Sequence, residues 1–280
     1  MTAVATFLKN NWGVVLILGI FVFWGGFLRL HNLGEQSLWI DEGYTINAAQ
    51  GILENGYPLL GSGRPYIVHI FHNYITAGSM TLFGFDANNP WSARLPAALF
   101  GIFSIIAVYV FTFRVTKNKL TALAASFIVA FSYWEISWSR QARGYTDMQF
   151  FIIMAFMFFY NWLDTKKITT AIWTVVFFAF SYLSHAVALI FLPSFFLIFF
   201  IHGIVNNKIR EWLSPVTIGL FVILGGIGIW IAMRILPKIT LYDYAGKYAS
   251  FLLGDFKYIS LAVVTIVIGL FLFKNRFWRA

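Results

Sequence analysis

Residues 37–52 read SLWIDEGYTINAAQGI and place two adjacent carboxylates, Asp41 and Glu42, just after the first apolar run of the chain. A carboxylate there can act as a general base toward an attacking hydroxyl or amine, a role worth about 10²–10⁴ in rate. It can also be purely structural, because Asp is a strong helix N-cap and an acid in the first turn is favoured by the helix dipole. A second cluster, SWSRQARGYTD at 137–147, spaces Arg140, Arg143 and Asp147 by three and four, which on a helix puts them on one side. Two guanidinium forks so placed match the oxygens of a phosphate, or they pair with Asp147 alone. Arg64, just before Pro65, and Arg94, in WSARLPAALFG, are further candidate cations. Arg94 serves equally well as a headgroup anchor. His185 stands alone at a tight turn between two apolar runs, as scaffold or as ligand. The absence of Cys removes thiolate chemistry and disulfides. No glycine-rich phosphate loop, HExxH or GxSxG pattern is present, so hydrolase and nucleotide-motor readings lack a motif.

These residues must be positioned by a membrane fold. Of 280 residues 60% are hydrophobic and only 11% charged, more apolar surface than a water-soluble domain of this length can hide. About 20 apolar residues cross a bilayer. Candidate spans cover 12–30, 93–113, 120–138, 148–163, 168–184, 186–202, 214–234 and 257–273, predicting an all-α polytopic bundle of about eight spans in one domain, 1–280. The first run lacks a small-residue cleavage pattern and reads as an uncleaved helix. With the N-terminus inside, the inner segments carry Lys9, Arg114, Lys117, Lys119, Lys166, Lys167, Lys208, Arg210, Lys274, Arg276 and Arg279 against only Asp164 and Glu211. That is the positive-inside bias, so the net charge of +9 reads as a topology signal and not as a nucleic-acid surface.

Residues 31–92 then form an extracytoplasmic loop. Its periodicity predicts a short amphipathic helix over 42–54 and a second helix with Pro65 in its first turn. His69, His72, Asn73, Thr76 and Ser79 fall on one face of that second helix, as for a helix lying at the interface. Acids and bases mix on the outer side, which places a polar site at the membrane surface. A transporter of lipid-linked sugars, which gathers charges near the bilayer midplane, and a non-catalytic scaffold are the competing readings.

In their order, five features resemble the GT-C superfamily of membrane glycosyltransferases, in the branch of the protein O-mannosyltransferases and the lipid A aminoarabinose transferase. They are LWIDEGYTINAAQGILENGYP, RPYIVHIFHNYITAGSMTLFG, SARLPAALFG, ARGYTD and His185, and they cover about residues 12–200. The resemblance implies a seven-span module with two interfacial helices in the first outer loop. It also implies a polyprenyl-phosphate sugar donor held in the membrane lipid, and a glycan, lipid or protein acceptor. On this reading Asp41 is the base of an inverting displacement and Glu42 supports it. Arg64, Arg94, Arg140 and Arg143 are the cations for the departing phosphate. Asp147, Tyr145 and His185 complete the site. Aromatic residues of 235–256 are candidates to cover the sugar. A metal-binding Glu of the aminoarabinose transferase aligns with Gly63, so a divalent metal stays open and no cofactor is assigned. The chain stops at KNRFWRA where family members carry further spans, and reads as a fragment or a short member.

Overall fold

The computed structural model describes residues 3–205. The chain divides into two compact units, 1–192 and 193–280. The first unit holds α1 (Ala3–Leu30), α2 (Ile40–Asn55), α3 (Ile70–Phe83), α4 (Trp91–Thr116), α5 (Lys119–Phe131), α6 (Tyr133–Ser139), α7 (Tyr145–Thr165), α8 (Ile168–Ser184) and a 3₁₀ turn, Ala186–Phe191. The described part of the second unit, 193–205, belongs to α9 (Leu192–Val205). Among the described residues the fold is all-helical, with only isolated bridges at Leu59–Pro65 and Asp86–Asn89.

Three helical runs are long and apolar enough to cross a membrane: Asn11–Leu30, Trp91–Thr116 and Ala186–Ile204. A fourth counts if α5 and α6, bent by 55° at Ser132, form one broken span. The expected spans over 148–163 and 168–184 are helices, but neither meets that test: α7 carries Asp147 and Asp164, and α8 has 17 residues. The spans expected over 214–234 and 257–273 lie outside the described residues.

Small and hydroxylated residues let these helices approach closely. Ala122, Ser126 and Ala130 line one face of α5 at helical spacing and are buried. A Cβ on Gly25 of α1 would press on Ala130, and Ser126 donates to the Ile105 carbonyl of α4 at 3.0 Å. Such contacts replace the hydrophobic drive that lipid does not provide. Thr146 of α7 donates to Ala97 of α4, and Ser181 of α8 donates to Met148 of α7. Pro96, inside α4, has no N–H to give the Ser92 carbonyl. The Ser79 hydroxyl of α3 takes that place at 2.6 Å, tying this loop helix to the bundle. Outward faces stay apolar, with Leu16, Phe23, Phe127 and Ile128 all exposed.

The two ends of the bundle differ chemically. At one end Arg114 of α4 reaches Asn161 and Asp164 of α7, beside Lys166 and Lys167. At the other end the C-termini of α1, α6 and α8 meet the N-termini of α4 and α7 and the loop helices α2 and α3. All nine residues expected to form a site lie in the segments that make up this second end.

Two local expectations differ from the structure. Pro65 does not open α3; it pairs in extended conformation with Leu59, and the helix starts at Ile70 behind His69, whose φ is +58°. The polar face of α3 does not lie on the interface. His72, Asn73, Thr76 and Ser79 are buried inward, while Tyr74, Leu82 and Phe83 face out. Burying that face gives His72 Nδ1, Asn73 Nδ2 and the Ser79 hydroxyl protein partners that lipid cannot offer.

Candidate active site

Asp41 and Glu42 are neighbours in sequence with opposite fates. Glu42 is fully buried and binds Arg94 in a two-pronged pair, Nε to Oε1 at 2.8 Å and Nη2 to Oε2 at 2.9 Å. Its carboxylate also accepts the backbone N–H of Ala142 at 2.8 Å and of Trp39 at 3.0 Å. The remaining Arg94 N–H groups go to the carbonyls of Leu33, Gln36 and Ser37. Neither side chain has capacity left for substrate. Glu42, expected among the catalytic groups, and Arg94, expected among the phosphate cations, are thus bound to each other and to backbone groups. The pair locks the start of α2, the start of α4 and the turn after α6 into one frame.

Glu42 also closes α2 at its N-terminus through the Trp39 N–H, so Asp41 is not the cap. Asp41 sits in the first turn with its side chain 36% exposed. Facing it is Arg143, whose Nη2 lies 3.5 Å from Asp41 Oδ2 and whose Nη1 donates to the Asp41 carbonyl at 3.0 Å. The 3.5 Å separation is an ion pair and too long for a strong hydrogen bond. Arg143 also reaches the Tyr66 hydroxyl at 3.4 Å and lies over the Tyr145 ring. Burial disfavours its charge, but the Tyr66 and Tyr145 phenols and Asp41 outweigh that and raise its pKa. Its Nε–H has no partner among the described residues.

Aromatic rings surround this pair in a continuous arc. Trp39 contacts Trp138, Trp138 contacts Tyr145 at 4.6 Å, and Tyr145 stacks on His185 at 4.5 Å. His185 meets His69 at 4.4 Å, His69 neighbours Tyr66, and Tyr66 stacks on Tyr44, one turn along α2 from Asp41. His69 Nδ1 bonds the Ser184 carbonyl at 2.8 Å, and His185 Nδ1 bonds the Val187 N–H at 3.1 Å. Burial, then the His185 ring and Arg143, hold His69 well below its ordinary pKa of 6.5. Burial and Arg143 bring His185 down to about 3.

The turn over 140–144 accounts for most departures from the sequence reading. Helix α6 stops at Ser139 and α7 begins at Tyr145, so Arg140, Arg143 and Asp147 share no helical face. Arg143 turns to Asp41. Arg140 turns to α1 and donates to the carbonyls of Leu28, Arg29, His31 and Asn32, satisfying a helix end that lacks its own partners. Expected among the phosphate cations, Arg140 is thus engaged as a clamp on the end of α1. Asp147 pairs with neither arginine. It is fully buried against His72, with Nδ1 3.0 Å from Oδ2. Arg64 lies exposed beside Gly63. Tyr145 and His185 stand in the arc. Residues 235–256 lie outside the described residues. Sequence reasoning missed Tyr66, His69, His72 and Trp138. The helical spacing of 69, 72, 73, 76 and 79 marked that face, but without partners it could not assign an orientation. Among the described residues no three His, Asp or Glu side chains gather as metal ligands would.

The sequence model of the dolichyl-phosphate-mannose-protein mannosyltransferase family matches residues 65–231, more than half of the chain. The chain belongs to this family. The family is of the GT-C type of membrane glycosyltransferases, and the apolar helices of this chain agree with an integral membrane protein. A protein of Aquifex aeolicus (strain VF5), described only as uncharacterized, is 26% identical over 148 residues, which cover 50% of this chain and 28% of that protein. The mannosyltransferase-family chain thus spans under a third of that relative's length over the match. No solved structure matches it.

Proposed function

We propose that the protein is an inverting glycosyltransferase that moves a sugar from a polyprenyl-phosphate donor to a hydroxyl or amine of a glycan, lipid or protein acceptor at the extracytoplasmic membrane surface. The observation that carries this reading is the pairing of a half-open carboxylate, Asp41, with a buried guanidinium, Arg143, inside a ring of aromatic side chains. The family supports the transferase class. In the reaction the acceptor oxygen or nitrogen attacks C1 of the sugar and its proton passes to Asp41. The C1–O bond to phosphate breaks with its electron pair staying on the phosphate. Arg143, charged and already desolvated, is placed to stabilise that growing charge. Arg64, on its exposed turn, serves as the second cation. One base without a covalent nucleophile gives inversion at C1.

Asp41→Asn tests this. The variant should lose at least about 100-fold in release of polyprenyl phosphate from a mannosyl-phosphoryl-polyprenol donor. Its thermal unfolding in detergent should stay close to wild type, because the side chain is half-exposed. Turnover at the wild-type rate would discard Asp41 as the base.

A further inference from the structure

Two histidines beside the Asp41–Arg143 pair carry fixed and opposite tautomers. The partner of His69 Nδ1 is the Ser184 carbonyl, which can only accept, so Nδ1 bears the proton and Nε2 is left as an acceptor. The partner of His185 Nδ1 is the Val187 N–H, which can only donate, so Nδ1 is bare and Nε2 carries the proton. The rings lie 4.4 Å apart. Each Nε2 stands on the side of its ring away from the backbone group that fixes it. Neither Nε2 has a partner among the described residues, and neither belongs to the buried polar atoms left without one. His185 is half-buried and His69 is 3% exposed, so both rings belong to the wall of the site. Arg143 acts on both rings and, with burial, keeps both neutral. The donor–acceptor pattern is thus kept across the physiological pH range.

An acceptor nitrogen and a donor N–H together suit a group that both donates and accepts. A hydroxyl donates one proton and accepts in return. A phosphodiester or a carboxylate cannot donate to His69, and an ammonium cannot accept from His185. We propose that His69 and His185 together read a hydroxyl of the transferred sugar, making them the specificity-determining pair of the site. This rests on the transferase reading above and extends it. Tyr145, stacked on His185 and lying under the Arg143 guanidinium, links the hydroxyl reader to the phosphate cation. Sugar and phosphate would then be recognised by adjoining groups: neutral imidazoles for the sugar, a fixed charge for the phosphate.

The test uses the full chain in detergent micelles and imidazole-nitrogen NMR. Mannose 1-phosphate, galactose 1-phosphate and N-acetylglucosamine 1-phosphate are titrated in, followed by the monodeoxy analogues of whichever binds. At least one sugar phosphate should shift the Nε2 signals of both histidines. One monodeoxy analogue should bind about tenfold more weakly, the value of one neutral hydrogen bond. His185→Phe, which keeps the stack on Tyr145 but removes the N–H, should bind the parent and that analogue equally, while His185→Gln should restore part of the difference. The proposal is overturned if no sugar phosphate moves either Nε2 signal, or if His185→Phe discriminates as wild type does. Release of polyprenyl phosphate is scored separately. Release without Nε2 shifts removes the hydroxyl reader and leaves the transferase. Nε2 shifts without release do the reverse.

Discussion

Glu42 is buried with four hydrogen bonds to its carboxylate, and Asp41, one residue earlier, is half open to solvent with a 3.5 Å ion pair. Successive residues of a helix point about 100° apart, so adjacency in sequence guarantees different surroundings. Removing one partner of a buried pair leaves an uncompensated charge and typically costs about 3–5 kcal/mol. Glu42→Ala should therefore lower the unfolding temperature in detergent sharply. Adding Arg94→Met should recover a large part of the loss, because the orphaned guanidinium goes too. The double variant melting below the single one would show that Arg94 is not stabilised through Glu42. The sequence marked both acids as candidates for chemistry and could not separate them. The partner that settles Glu42 lies 52 positions away, and nothing local to residues 41 and 42 announces it.

Periodicity served well for the existence of the helices and poorly for the turn that joins two of them. The sequence reading placed two helices between the first two long apolar runs, and α2 and α3 lie between α1 and α4. The spacing of Arg140, Arg143 and Asp147 suggested one shared face, whereas a break after Ser139 sends the three side chains to α1, α2 and α3 respectively. Gly144 explains why the chain passes this way. A Cβ there would collide with the Ser184 carbonyl and press on His69 Nδ1, two groups already bonded to each other. Gly144→Ala should cost about 1–3 kcal/mol, as overpacking does. It should also move the His69 imidazole signals, while Gly78→Ala, which meets open space on α3, should do neither. A stable Gly144→Ala with unchanged His69 signals would contradict the close approach.

At the scale of the whole molecule, the contrast between the bundle's ends is the most readable feature of the sequence. Charge counting put the basic loops on one side and the mixed ionisable groups on the other. The described helices bring the mixed groups together at one end, with Arg114 and Asp164 at the opposite end. Which end faces the cytoplasm is a proposal that labelling can decide. The chain has no Cys, so single-cysteine variants need no prior replacement. Ser62→Cys, in the exposed loop before α3, should react with an impermeant maleimide on intact cells. Lys119→Cys, exposed at the start of α5, should react only after lysis. The reverse pattern would put the site in the cytoplasm. The total number of spans was less legible, because polar residues such as Asp147 and Asp164 lower the hydropathy of α7, and α8, though apolar, has only 17 residues.

The clamp around Glu42 has a consequence for synthesis. Its partners, Arg94 and the Ala142 amide, emerge from the ribosome some 50 and 100 residues after it, one in α4 and one in the turn before α7. Until both arrive, Glu42 has neither its counter-charge nor its full set of hydrogen bonds. Asp41 gains its own partner from the same late turn, at Arg143, the residue after Ala142. The frame of the site and the cation beside Asp41 are thus delivered together, by one turn translated about 100 residues after the two acids.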